Sequence, residues 1–109
     1  MSIDEILALY DNLLTLIHSK FPDTKVVLSD MVCRKDRELQ IMIDYINASL
    51  SIEYDKSDYV FMCKHPKLGL EYLWKDGVHL EDTGTSILAS DLRKSIAKCA
   101  DVTIKKNSS

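Results

Sequence analysis

The stretch DGVHLEDTG, residues 76–84, carries the residue types of a hydrolytic site. Asp76 stands three residues before His79, and Gly77 between them permits a tight backbone. A carboxylate that accepts a hydrogen bond from one imidazole nitrogen fixes the tautomer of the ring. It also stabilises the cation that forms when the other nitrogen accepts a proton. The spacing suggests a general base, His79, oriented by Asp76, although a surface Asp beside a loop His would give the same pattern.

Such a site also needs a nucleophile, and three residues near the predicted carboxyl ends of strands could supply one: Ser29, Cys33 and Cys63. A thiolate beside His79 would be a competent nucleophile. For the cysteines, packing in a strand or loop is the simpler interpretation. The two cysteines could also join His65 and His79 around a metal ion, but ligands from three loops would have to converge. Nothing in the spacing requires this, so we predict no metal and no cofactor.

The composition narrows the class of protein. The chain has 109 residues, of which 46% are hydrophobic and 28% charged, as expected for one small domain with a core. Its net charge is -3 and its basic residues are scattered, so nucleic acid is not an expected partner. We expect no membrane span, because no apolar run reaches about 18 residues. The acidic N-terminus does not fit a secretory signal, and three widely spaced cysteines fit reduced thiols, so we expect a cytoplasmic protein.

Hydrophobic periodicity predicts an α/β protein with the element order α-β-α-β-α. Apolar residues in steps of three and four predict a well-buried helix over 3–21, opened by a capping box between Ser2 and Glu5. The remaining elements are expected as strands at 25–30 and 59–64 and as helices at 36–50 and 82–100. Residues 101–109 are expected to form a flexible tail.

Strand, helix and strand at this spacing indicate a short parallel sheet. We expect the helix of 36–50 on one face of the sheet and the helices of 3–21 and 82–100 on the other. Catalytic groups in such sheets lie beyond the carboxyl ends of the strands. The loop with Asp76 and His79 follows the second strand, so it should lie at that edge.

The segment YLWKDGVHLEDTGTSILASDLRKSI, residues 72–96, resembles the last conserved block of the SGNH, or GDSL-like, esterase and lipase superfamily. In that block the Asp and His of a catalytic triad lie on a loop that enters the final helix. Leu80 and Gly84 occupy matching places.

The preceding segment, ILALYDNLLTLIHSKFPDTKVVLSDMVCRKD at residues 6–36, is similar to the helix, strand and loop that come before this block in the same superfamily. The loop there often carries a Pro-Arg pair before an acid. Here Cys33 takes the place of the proline, while Arg34 and Asp36 remain.

The resemblance implies part of a flavodoxin-like three-layer α/β/α sandwich that hydrolyses carboxylic esters, with His79 as general base and Asp76 as its partner. The superfamily places its nucleophilic Ser in a Gly-Asp-Ser block, and its oxyanion hole uses that block with a Gly and an Asn from later blocks. None of these blocks occurs here. Residues 1–100 therefore resemble the C-terminal portion of such a domain. We expect it to be inactive alone and to act on a small ester only when a complementary N-terminal half completes it.

A non-catalytic interaction module is the alternative. The superfamily has a wider sheet than two strands, so the first strand of this chain would keep an open edge. Exposed strand edges recruit partners. We therefore expect self-association, or binding of a complementary half, through residues 25–29.

Overall fold

The computed structural model of the protein describes the backbone of residues 1–107 and the side chains of residues 1–100. Within this part the chain forms a small α/β protein in the predicted order, with one short 3-10 turn added. The elements are α1 (Ile3–Lys20), β1 (Val26–Ser29), α2 (Arg37–Glu53), β2 (Val60–Cys63), the 3-10 turn (Leu70–Tyr72) and α3 (Asp82–Asn107). The two strands pair in parallel, with Val26 opposite Val60 and Ser29 opposite Cys63.

Side-chain caps set the start of the first two helices. The Ser2 hydroxyl accepts a hydrogen bond from the Glu5 amide at 3.1 Å, and the Glu5 carboxylate accepts one from the Ser2 amide at 3.4 Å. The predicted capping box is therefore confirmed. At α2, the Asp36 carboxylate accepts a hydrogen bond from the Leu39 amide at 3.0 Å. Each cap satisfies an amide that the first helical turn leaves without a partner.

The two faces of the sheet receive different side chains because neighbouring residues of a strand point to opposite faces. Val26 and Leu28 of β1 pack into the main apolar core, which also contains Val60 of β2 and the following residues of α1 and α2: Leu14, Ile46 and Leu50. Ser29 and Cys63 project to the opposite face, where α3 contacts both strands. Helices thus lie on both faces of the sheet, which is compatible with part of a three-layer sandwich.

The placement of α1 differs from the expected one. It packs on the same face as α2, because its inner residues, among them Ile6 and Tyr10, join the core formed by α2. The helix is also less buried than expected. Leu14 is its one buried residue, and Leu9 and Leu16 are 53% and 51% exposed.

The last helix is longer than predicted. It continues to Asn107 because the segment after Ala100 contains neither Gly nor Pro. The last two residues of the predicted tail, 108 and 109, lie outside the described residues. On this helix Ile96 is 56% exposed, whereas Cys99 is buried. No helix in the described part of the chain combines the length and the apolar character needed to cross a membrane.

Candidate active site

The Asp-x-x-His motif lies on a tight loop that connects the 3-10 turn to α3. Leu73 and Leu80 form an antiparallel bridge at the base of this loop. Across it, the Trp74 amide donates to the His79 carbonyl at 2.7 Å, and the Gly77 amide donates to the Trp74 carbonyl at 2.9 Å. Gly77 has a φ of 70°, a left-handed conformation that side chains disfavour. The glycine of the motif is thus the residue that lets the loop close.

Asp76 and His79 are hydrogen bonded, as the sequence predicts. Nδ1 of His79 lies 2.6 Å from Oδ2 of Asp76. The other carboxylate oxygen accepts hydrogen bonds from the amides of Val78 at 2.9 Å and His79 at 3.1 Å. The hydrogen bond from His79, followed by the two amides, lowers the pKa of Asp76 to about 2. The carboxylate is therefore ionised at neutral pH and can only accept, so Nδ1 of His79 must carry a proton.

The other ring nitrogen of His79 is open to solvent. The side chain of His79 is 75% exposed and that of Asp76 is 48% exposed. With Nδ1 protonated, Nε2 of the neutral ring has a free lone pair and can accept a proton from a group that docks on the loop. Among the described residues, no Ser or Cys side chain forms a hydrogen bond with His79. The pair therefore has the geometry of a base and its orienting acid without a nucleophile.

The loop before α2 holds the motif in place. The Arg34 guanidinium donates to the Val78 carbonyl, and the Lys35 amide donates to the Gly77 carbonyl at 3.0 Å. A side chain at position 77 would also run into that of Lys35. Residues 33–36 and 76–80 are thus in direct contact. Each belongs to one of the two segments that carry the resemblance.

An apolar groove of about 630 Å³ opens beside the motif. Asp76, Gly77 and Val78 contribute to its lining, together with Arg34 and Asp36. The rest of the lining is apolar and comes from α1, from the loop after β1 and from α2: Ile6, Met31, Val32, Leu39, Met42, Ile43 and Ile46. This volume is within the range of pockets that hold small organic ligands, about 300–1,000 Å³.

A second His–Asp pair lies on the α3 face of the sheet, together with a serine. Nδ1 of His65 is 2.9 Å from Oδ2 of Asp91, and Nε2 of His65 is 2.7 Å from Oγ of Ser29. The side chain of His65 is only 4% exposed and that of Asp91 is 19% exposed. Carboxylate, imidazole and hydroxyl are thus connected in the order found in a Ser-His-Asp triad.

The sequence singled out two members of this cluster and missed the third. The sequence predicts Ser29 as a candidate nucleophile and His65 as a conceivable metal ligand, but its motifs give Asp91 no role. One signal could have found it, because Asp91 falls three residues after Leu88 and one before Leu92. That spacing places its carboxylate on the inner face of α3, where an unpartnered charge is costly.

No hydrogen bond joins Cys33 or Cys63 to His65 or His79 in the described part of the chain. Cys63 is 1% exposed within β2. Burial raises the pKa of Cys33, and the nearby Glu71 adds to this, although a backbone hydrogen bond and Arg34 act in the opposite direction. A raised pKa disfavours the thiolate that a nucleophile or a metal ligand requires. In the part of the chain that the structure describes, no three His, Cys, Asp or Glu side chains are placed to share a metal ion.

Comparison of the chain with models of known protein families and with curated proteins gives no match. The resemblance to the SGNH superfamily therefore depends on the residues of the two segments given above.

Proposed function

We propose that this protein is the His- and Asp-bearing part of an SGNH-like ester hydrolase, built on part of a flavodoxin-like sandwich. The observation that supports it is the 2.6 Å contact between Asp76 and His79, with the free nitrogen of His79 turned to solvent. A cytoplasmic location belongs to the same proposal, since Cys33 and Cys63 carry free thiols that suit a reducing compartment.

In this mechanism a complementary segment supplies the serine and the oxyanion-hole donors. Nε2 of His79 removes the hydroxyl proton as the serine oxygen attacks the ester carbonyl, and the ring then gives that proton to the departing alcohol. In the second stage Nε2 of His79 removes a proton from water as the water attacks the acyl carbonyl, and the ring then returns that proton to the departing serine oxygen. Asp76 stabilises the imidazolium in both stages. Because the 109 residues contain no Gly-Asp-Ser block, we expect no turnover from this pair in the chain alone.

The groove beside the motif suggests the kind of ester. Its lining is apolar apart from Arg34, Asp36 and Asp76. An apolar acyl chain would lose contact with water there and would be stabilised by about 0.8 kcal/mol for each buried methylene. We therefore propose an ester with an apolar acyl group as the substrate class.

Complementation tests this proposal. The chain would be co-expressed with the N-terminal half of a GDSL-like esterase that carries the Gly-Asp-Ser block and the oxyanion-hole residues. We expect the mixture to hydrolyse p-nitrophenyl esters with a long apolar acyl chain that neither half hydrolyses. His79→Ala should lower turnover by about 10²- to 10⁴-fold, the usual effect of removing a general base.

Lys75→Ala is the matched control, because Lys75 lies on the same exposed loop next to Asp76 and makes no hydrogen bond to the motif. It should leave turnover unchanged. A complex that forms but shows no turnover, or turnover that is insensitive to His79→Ala, would rule out the proposed role.

A specific observation also favours the second candidate function, an interaction module. The amides of Val26 and Asp30 point toward β2. The first donates to the carbonyl of Tyr59, the residue before β2, at 2.7 Å, and the second donates to the carbonyl of Cys63 at 2.9 Å. By alternation, the amides of Val27 and Ser29 point to the other edge of β1. In the described structure β1 pairs with β2 alone, so this edge is available to a strand of a second copy or of a complementary half.

A further inference from the structure

We propose that Ser29, His65 and Asp91 form a second nucleophilic site, separate from His79, which accepts the acyl group of a small ester onto the Ser29 oxygen. The two sites lie on different parts of the molecule. The first is an exposed loop before α3, and the second is a nearly dry cluster between the sheet and α3. The second site contains all three members of a triad within residues 29–91, so it does not need a complementary chain.

The hydrogen bonds assign a role to each side chain. The Asp91 carboxylate at 2.9 Å can only accept, so Nδ1 of His65 carries a proton when Asp91 is ionised. In the neutral ring Nε2 then has a lone pair, and it lies 2.7 Å from the Ser29 oxygen. The hydroxyl can donate directly to this lone pair. This is the arrangement in which an imidazole removes the proton of an attacking serine.

The cluster can also accommodate the protonated ring without losing a hydrogen bond. The Ser29 oxygen lies 3.1 Å from the Asp30 carbonyl. When Nε2 of His65 carries a proton, it can donate to the Ser29 oxygen, and the hydroxyl can turn to that carbonyl. The Asp91 carboxylate, the Ser29 hydroxyl and the Asp30 carbonyl therefore satisfy the hydrogen bonds of His65 in each of its protonation states. A base that must gain and lose a proton in each cycle requires this, because a buried polar group without a partner costs about 1–3 kcal/mol.

A polar cavity of about 170 Å³ has His65, but not Ser29 or Asp91, in its lining. Its lining includes Asn47, Asp44 and Asp30, and one oxygen of Asp30 is buried without a hydrogen-bond partner among the described residues. The cavity is smaller than a typical site for a drug-sized ligand, about 300–1,000 Å³. An ester that approaches His65 through this cavity must therefore carry a short acyl group such as acetyl.

The reaction balances with the groups present. The Ser29 oxygen attacks the carbonyl carbon of the ester while Nε2 of His65 takes the hydroxyl proton. The bond between the carbonyl carbon and the alcohol oxygen then breaks, and His65 returns the proton to the leaving alcohol. The product is acyl-Ser29, which water can hydrolyse with His65 again accepting and returning one proton. Asp91 acts as a positioning residue that holds the ring and stabilises its cation.

Methanesulfonyl fluoride is a suitable probe, because it is small and forms a stable ester with an activated serine. The folded chain would be treated with it at pH 8 and analysed by intact mass and by tandem mass spectrometry of peptides. We expect one methylsulfonyl group per chain, located on Ser29. Labelling should be lost in Ser29→Ala and in chain denatured with urea, and Ser19→Ala, an exposed serine on α1, should label like the unaltered chain.

The role of Asp91 has its own readout. Asp91→Asn should slow the labelling by about 10-fold or more and shift its pH dependence, because the charge that stabilises the imidazolium is lost, and Asp91→Glu should restore part of the rate. A role in packing alone would leave the pH dependence of labelling unchanged. Peptide mapping of the unaltered chain decides the proposal even if a variant does not fold. Absence of a group on Ser29, or modification of other serines at equal rates, would overturn it.

Discussion

At the scale of single residues, the environments of the two histidines are opposite. His79 is exposed on a loop and depends on the carboxylate of Asp76, which three donors hold in its ionised form. His65 is shielded from solvent and lies between a carboxylate and a hydroxyl. Exposure lets a complementary chain reach His79, whereas shielding restricts His65 to partners of its own chain and to small molecules.

Asp76 should make the stability of the loop depend on pH. Its pKa in the folded protein is about 2, below the ordinary value of 3.8, so folding favours the ionised form. The stabilisation is fully present above about pH 4 and is lost as the pH falls through 2. We therefore expect Asp76→Asn to lower the free energy of unfolding at pH 7 and to have a smaller effect near pH 2. Urea unfolding across this range measures the difference. An effect of equal size at both pH values would contradict it.

Gly77 should resist substitution more strongly than Gly69. Gly77→Ala places a side chain in a left-handed conformation and against Lys35, which we expect to cost about 1–2 kcal/mol or more. Gly69 has a φ of -124°, and an alanine there would meet only the movable end of Glu71. Thermal unfolding of the two alanine variants tests this. Equal melting temperatures would show that the loop is not held as described.

At the scale of the elements, the caps and the register of the strands position both sites. The capping box fixes the start of α1, and Asp36 fixes the start of α2 directly after the loop that contacts the Asp-x-x-His motif. The parallel register places Ser29 opposite Cys63, two residues before His65. A shift of the pairing between β1 and β2 by one residue would turn Ser29 to the other face of the sheet, away from α3. Ser29 would then no longer contact His65.

The capping box of α1 should contribute measurably to stability. Ser2→Ala removes the side-chain acceptor of the Glu5 amide, and we expect a loss of about 1 kcal/mol in the free energy of unfolding. Ser19→Ala on the exposed side of the same helix should cost nothing, since alanine is the better helix former. Chemical denaturation of both variants provides the comparison. If Ser2→Ala were as stable as Ser19→Ala, the cap would be absent in solution.

At the scale of the whole molecule, the sheet is narrow and apolar surface remains exposed. One edge of β1 is unpaired in the described structure, and three leucines on one side of α1 are each more than half exposed: Leu9, Leu13 and Leu16. A narrow sheet leaves backbone groups that water or a partner must satisfy. These two features motivate the proposal that the protein associates with another chain through β1.

Self-association through residues 25–29 can be measured by sedimentation at micromolar concentration. We expect the unaltered chain to form dimers or larger species. Val27→Pro removes an amide that points to the open edge but keeps the pairing with β2, so it should shift the chain to monomer. Far-UV circular dichroism would confirm that the variant folds. A monomeric unaltered chain, or dimers that persist in Val27→Pro, would contradict association through this edge.

The sequence by itself determined the elements of this protein and the pair of residues 76 and 79. The features that predicted them are local: helical periodicity, the Ser2 cap, the β-branched runs and the three-residue spacing of Asp76 and His79. Local hydrogen bonds and the alternation of buried and exposed positions act directly on such features. The hydrogen bond between them followed from the sequence, because both residues belong to one tight loop around Gly77.

Tertiary structure decided which elements share a face and which distant side chains meet. It placed α1 with α2, left Leu9 and Leu16 half exposed, and joined Ser29 to His65 and Asp91 across 62 positions of the chain. These outcomes depend on the register of the two strands and on the rotation of α3 against them. Both are set by the packing of the whole core, and no local spacing in the sequence encodes them.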